Sequence, residues 1–383
     1  MKLFSLANEE KVFVKKESPE GTLAYPTSAN TVLVTGASAL AQDIEFIDDA
    51  QLRSSRSKLS PIKGRTRPGE WSLTTYCKPS GTLGVAPEAD PLFECLMGKK
   101  TTPSGVLYGL DSSVNLGSCS IWVKKGHSVF ALEGCTVNQA TFNIAGGEIV
   151  SISWAGQFMK WYRGGSDQAQ TAVTAAETHV HVYDAKRFTP KMKISIGADT
   201  KTGVGYTIST VDYAGNILNI SDVGGFVTGC ALNAEVAGFV PTVTELGTPV
   251  HGKITQTTVG SLLATLISAQ VVMTNNIKYY EDEMNGQWYP TAYGTTGFRN
   301  LEGTLGLYFR KPTMQYFYKS EYQLQDALTI QCGELVGKRM KLQMPKIEYR
   351  TPKISGDEEV MLELPFVPVA SATLDDEISI LFD

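Results

Sequence analysis

The chain has 383 residues, 42% of them apolar and 19% charged, with a net charge of −5. That length holds two or three domains, and the apolar share excludes a disordered chain. The small negative charge leaves no basic footprint for gripping nucleic acid. No run of about 18 apolar residues occurs, so no membrane-spanning helix is expected. Only Leu3 to Ala7 separates Lys2 from Glu9, so no signal peptide is expected either. Six cysteines without a CxxC pair read as reduced core residues.

Residues 1–30 are polar and turn-rich, with Gly21 and Pro26, and read as an N-terminal arm. Thr31 to Val34 and Ala41 to Ile47 read as short strands. A basic loop follows: Arg53, Arg56, Lys58, Lys63, Arg65 and Arg67 occur with no acid between Asp49 and Glu70. Such a loop is either solvated or aimed at an acidic partner surface. Glu70 to Cys77 alternates, with Trp71, Leu73, Thr75 and Cys77 on one face. Asp90, Pro91 and Gly98 then frame a short helix, Asp90 as its cap.

Further strands are expected at Ser104 to Tyr108, Ser118 to Lys124, Ser128 to Leu132, Thr136 to Ile144 and Ile149 to Phe158. Gly164 to Ala176 has the composition of a linker. His179 and His181 share one face of a strand, but no third ligand accompanies them, so a surface strand is the better reading. Residues 184–228 carry several short strands joined by glycine turns and read as an inserted small β-domain. In the last third, a loop opens with Glu281, Asp282 and Glu283 and continues through Trp288, Tyr289 and Tyr293.

The chain repeats itself. Glu302 to Arg310 matches Glu70 to Lys78, with Glu70 on Glu302, Leu73 on Leu305 and Tyr76 on Tyr308. Met344 to Phe366 matches Gly134 to Gly156 without a gap, with Thr141 on Thr351, Ile144 on Ile354 and Val150 on Val360. Two matches in the same order predict one β-fold used twice. On this reading the acidic loop of the second copy occupies the place of the basic loop of the first.

No catalytic constellation emerges. Thr31 to Ser38, TVLVTGAS, opens like a dinucleotide-binding strand and loop, but Ala39 to Gln42 supplies no further glycine and no βα alternation follows. Tyr349 and Lys353 have the spacing of a dehydrogenase pair, yet Pro352 lies between them, and that pair requires a helix. The expectation is a non-enzyme without cofactor or metal.

The order of features resembles the siphophage tail tube (major tail) proteins. It rests on the arm with Gly21 and Pro26, the strand Glu70 to Cys77 leading through Ala86 and Pro87 to the helix, and Thr274 to Asn276. Arg299, the strand Leu301 to Phe309, Met344 to Lys346, Leu364 to Phe366 and Leu374 to Glu377 complete it. The resemblance implies an all-β fold: two tandem β-sandwich units, residues 31–163 and 250–383, each contributing to a ring-spanning β-barrel, with the inserted β-domain at 184–228. It implies a virion protein, assembled in the host cytoplasm, that stacks as rings into a tube for DNA passage. Two units per chain make those rings trimeric and pseudo-hexameric. The implied partners are further copies of the chain and the tail terminator, distal tail and tape measure proteins, with no membrane. The basic loop and the loop with Glu281, Asp282, Glu283, Trp288 and Tyr289 would then contact the adjacent ring. An acidic lumen would let DNA pass without sticking, and Glu148, Glu302, Glu348 and Glu363 are the acids that could reach it. The rival reading is a β-rich adhesin or decoration module, stacking carbohydrate on Trp161, Tyr162, Trp288, Tyr289 and Tyr293.

Overall fold

The computed structural model describes residues 9–49, 57, 60–102, 104–113, 116–260, 262–356 and 359–383. The protein is all-β apart from short helices. A first set of strands runs β1 (Lys11–Lys16), β2 (Thr31–Val32), β3 (Ala39–Ala41), β4 (Ile44–Ile47), β5 (Ile62–Thr66) and β6 (Gly69–Tyr76). Helix α1 (Asp90–Met97) follows, then β7 (Gly98–Thr101), β8 (Val106–Leu110), β9 (Cys119–Lys125), β10 (Ser128–Ala145), β11 (Ser151–Phe158) and β12 (Lys160–Gly164). A six-stranded sheet interrupts here: β13 (Ser166–Gln168), β14 (His179–His181), β15 (Lys193–Ile196), β16 (Tyr206–Asp212), β17 (Ile217–Ile220) and β18 (Glu235–Gly238). The second set is β19 (Thr255–Val259), β20 (Leu262–Ala264), β21 (Leu266–Thr274), β22 (Ile277–Tyr280), β23 (Ala292–Thr295) and β24 (Asn300–Tyr308). After α2 (Gln315–Glu321) come β25 (Gln325–Cys332), β26 (Met340–Tyr349), β27 (Lys353–Ser355), β28 (Met361–Pro368) and β29 (Ser379–Phe382).

The two sets pair in the same order. β1 lies between β2 and β9 as β19 lies between β20 and β25. β6 lies between β3 and β11 as β24 lies between β21 and β28. β12 joins β10 as β29 joins β26, and the hairpins β4–β5 and β22–β23 occupy the same place. Register agrees as well: Tyr76 faces Ser151 and Leu73 faces Trp154, while Tyr308 faces Met361 and Leu305 faces Leu364. Each pair joins positions matched in the sequence.

One match needs correction. Ile354 faces Leu362 as Phe142 faces Ile152, so Ile354 corresponds to Phe142 and not to Ile144. The turn before β28 is shorter by two residues than the turn before β11, an offset that an ungapped alignment places inside the strand. Pro352, which has no N–H to give a ladder, lies where β26 breaks off before β27. Asp90 is also not the cap of α1: it is the first helical residue, and its carboxylate accepts hydrogen bonds from Lys100 and the Tyr108 hydroxyl.

Three layers result. The central sheet runs β3–β6–β11–β10–β21–β24–β28 and continues into β26 and β27, so a single sheet crosses from the first set to the second through β10 and β21. Among the described residues the ladders branch but do not close on themselves. Beneath the sheet lies the main core, including Trp71, Leu73, Phe93, Phe142, Trp154, Leu305 and Phe366. The outer sheet of the first set, β2–β1–β9–β10–β12, has two buried faces. Val12, Val14, Ile121 and Val123 point to the main core, and Phe13, Trp122, Val129 and Ala131 to a second core shared with the inserted sheet. That insertion is wider than residues 184–228: β13, in the stretch read as a linker, pairs with β18. Leu23 and Tyr25 of the arm wedge between, with Tyr25 5.7 Å from Trp122.

Two close approaches hold the central sheet together. In the first set the indole of Trp71 lies over Gly156 opposite, and a Cβ there would stand 2.9 Å from the ring and 1.9 Å from the Thr136 carbonyl. In the second set the ring and the glycine change strands: a Cβ on Gly303 would stand 2.3 Å from the Phe366 ring opposite it. Gly156→Val and Gly303→Val should each cost roughly 1–3 kcal/mol by overpacking, read as a lower urea midpoint at unchanged slope.

The inserted sheet is pinned by Asp199, which accepts from the Tyr206 hydroxyl (2.7 Å) and the N–H groups of Thr228 (2.8 Å), Lys201 (3.0 Å) and Gly229 (3.1 Å). Burial pushes its carboxyl up, but these hydrogen bonds outweigh burial and hold it at about 2, against an ordinary 3.8. A folded value below the unfolded one adds stability above about pH 4 that is lost as pH falls toward 2. Asp199→Ala should lower stability by roughly 2–4 kcal/mol near neutrality. The gap to the parent should narrow by about 2 kcal/mol at pH 2, measured by urea unfolding of the inserted sheet.

Candidate functional site

Alternation divides the central sheet into a core face and a bare face. The bare face of β6 carries Glu70, Ser72, Thr74 and Tyr76, and that of β11 carries Ser151, Ser153, Ala155 and Gln157. β10 adds Gln139, Thr141, Asn143 and Ala145, and β21 adds Ser268, Gln270, Val272 and Thr274. β24 presents Asn300, Glu302, Thr304, Gly306 and Tyr308, and β28 presents Met361, Glu363, Pro365 and Val367. On these six strands the charges of the bare face are Glu70, Glu302 and Glu363, without a lysine or arginine. Uncharged side chains fill the rest, most of them Ser, Thr, Asn, Gln or Ala, with Tyr76, Tyr308 and Met361 as the large ones. Of the acids named from sequence, Glu148 lies in the turn between β10 and β11, and Glu348 accepts from the Gln325 amide (2.8 Å). Glu70, absent from that set, stands opposite Gln157. Its match with Glu302 was the signal that places it on the same face.

At one end of the sheet the hairpins β4–β5 and β22–β23 lie side by side. The Thr66 N–H donates to the Trp288 carbonyl (2.8 Å), and the Lys63 ammonium sits 6.0 Å from the Trp288 ring. Arg65 joins three acids: Glu45 at 3.0 Å, Glu281 at 3.7 Å, and Asp282. Arg67 adds a contact to Glu45 at 3.6 Å, and Lys160 covers Tyr289 at 4.8 Å. The basic and acidic loops therefore meet within one chain. Glu283 bonds the Thr291 hydroxyl of its own loop. Arg53, Arg56 and Lys58 lie outside the described residues.

Sequence reasoning missed the apolar part of this end. Ile44, Phe46, Ile47 and Ile62 are 43%, 63%, 54% and 62% exposed, far beyond a half-buried strand. The signal was present in DIEFI, where Phe46 and Ile47 are apolar in succession and break the alternation. Beneath the hairpins, Tyr279 donates to the Gly134 carbonyl (2.7 Å) and Tyr293 to the Leu116 carbonyl (2.8 Å), so their rings are anchored.

The aromatic residues of the carbohydrate reading do not form a platform. Tyr162 and Tyr293 are buried, and Trp161 stacks on Phe130 with centroids 5.6 Å apart. Trp288 is exposed beside Lys63. His179 and His181 sit on β14 at the edge of the inserted sheet, 5.5 Å apart. Among the described residues no group of three His, Cys, Asp or Glu could hold a metal, and no helix is long and apolar enough to cross a membrane. Burial pushes the thiols of Cys77 and Cys135 well above their ordinary value, away from the thiolate form that nucleophilic chemistry needs.

None of the curated proteins compared matches the chain. The family model of the phage tail tube protein matches residues 7–368, which takes in the first strand set, the inserted sheet and the second set as far as β28. The chain therefore belongs to the phage tail tube protein family and is a structural component of the virion tail tube.

Proposed function

We propose that the chain assembles as trimeric, pseudo-sixfold rings that stack into a conduit for genome DNA. The observation that carries this reading is the ladder between β10 and β21, which makes two tube units, the first of them including β1 from the stretch read as an arm, into one wall segment of eight strands when β27 is counted as the last. Three copies bring twenty-four strands. At a spacing of about 4.8 Å and a tilt of about 40° such a wall closes at roughly 48 Å across, an open channel, whereas two copies would close at roughly 32 Å.

The bare face would line that channel. Its three glutamates repel phosphates, and its six inner strands add no basic side chain; Lys353 of β27, at the place of Thr141, stands opposite Glu363. The inserted sheet lies on the far side of the outer sheet from this face, so it would project from the tube exterior. The tube ends would meet terminator and distal tail proteins, and the lumen the tape measure.

The hairpin end would contact the next ring. It presents Ile44, Phe46, Ile47 and Ile62 with Lys63, Arg65 and Arg67 and the acidic Glu281 to Glu283. Because Arg65 already pairs with Glu281 and Asp282 in its own chain, apolar burial should contribute more to stacking than charge.

Electron microscopy of the purified protein should show rings and tubes with three chains per ring. Six chains per ring, or dispersed monomers, would contradict the reading. Phe46→Ser combined with Ile62→Ser should leave rings intact and shorten tubes several-fold. Tubes of parental length would show that the hairpins do not stack.

A further inference from the structure

We infer that the free edge of β27 in one chain pairs with the free edge of β3 in the next, in the register that β10 and β21 show within the chain. The inference rests on the ring reading and names the seam that closes it.

Inside the chain Thr141 faces Val272, Phe142 faces Val271 and Asn143 faces Gln270. β27 stands where β10 stands, because Ile354 faces Leu362 as Phe142 faces Ile152. β3 stands where β21 stands, because Leu40 faces Trp71 as Val271 faces Gly303. Carrying the ladder across sets Lys353 opposite Ala41, Ile354 opposite Leu40 and Ser355 opposite Ala39 of the next chain. Two steps beyond, Gln139 faces Thr274 within the chain, which sets Thr351 opposite Asp43.

Exposure supports the same pairing. Phe142 and Val271 are fully buried, each covered by the other's strand. Their counterpart Ile354 is 54% exposed, and Leu40 is only partly buried against the main core. Both point to the core side and lack the strand that covers them in the other set. Backbone direction agrees: the Gly146 N–H donates to Ile267 (3.0 Å) and the Asn275 N–H to Asn138 (2.8 Å), so even-numbered residues of β10 bond across the seam. Phe142 is one of them, and its counterpart Ile354 therefore turns its N–H and C=O to the open edge, as does Leu40. Short strands, a proline and a lysine mark β27 as an edge kept from pairing promiscuously before assembly.

The test is a cysteine pair. Lys353 and Ala41 would form a non-hydrogen-bonded pair with Cα atoms about 4.5 Å apart, within disulfide reach. The double variant Ala41→Cys, Lys353→Cys, oxidised after assembly, should lose its monomer band on a non-reducing gel and run as covalent trimers. The pair Ala39→Cys, Lys353→Cys, one diagonal out of register, should stay largely monomeric. Rings that form without cross-links in the first pair, or cross-link equally in the second, overturn the pairing and leave the tube reading standing. Covalent dimers from Lys353→Cys alone overturn it in favour of β27 pairing with its own copy. A parent chain that forms no rings under the microscope overturns the tube reading, and this pairing with it.

Discussion

The ladder between β10 and β21 is the constraint on which the rest depends. Seven residues of β10 face seven of β21, from Gln139–Thr274 to Ala145–Ser268, without a register shift. Two sandwiches joined by a linker could rotate against each other. Two sandwiches that share a sheet cannot, since rotation would break a row of backbone hydrogen bonds between buried side chains such as Phe142 and Val271. A second bond acts on the outer side, where β8 of the first set pairs with β29 of the second. Phe93 of α1 sits between these joints, 5.3 Å from Tyr108 and 5.2 Å from Phe382.

Equal units have unequal exteriors, and the difference is one of side-chain chemistry. On β9 the residue facing outward is Trp122, and on β1 it is Phe13; both are buried beneath the inserted sheet. On the matching β25 and β19 the outward positions are Thr329, Gln331, Gln256 and Thr258, which face water. A domain can be added to a repeat without disturbing its inner sheet when only the outer face is rewritten from polar to apolar. The Gly156–Trp71 and Gly303–Phe366 contacts follow the same rule in reverse: which strand carries the ring has changed, while one ring still lies over one glycine between the strands.

Much of this was legible in the chain. The alternation of Glu70 to Cys77 gave the strand and its buried face, and its copy at Glu302 to Arg310 gave the duplication. The family could be recognised from scattered short matches. The two-residue offset at Thr141 was not legible, because shifting a strand by two keeps every side chain on its face and leaves hydrophobic patterning unchanged. The extent of the inserted sheet was hidden for another reason: β13 is Ser-Asp-Gln, polar, and it becomes a strand only because β18 is there to pair with it. The meeting of Arg65 with Glu281 and Asp282 joins residues more than two hundred positions apart, which no local pattern encodes.

The central claim is that the bare face of the shared sheet is the inner wall of the tube. A helical reconstruction of assembled tubes tests it most directly. The account predicts Glu70, Glu302 and Glu363 lining the lumen, with the inserted sheet outside. A reconstruction with that face turned outward, or with the inserted sheet inside the channel, would contradict it.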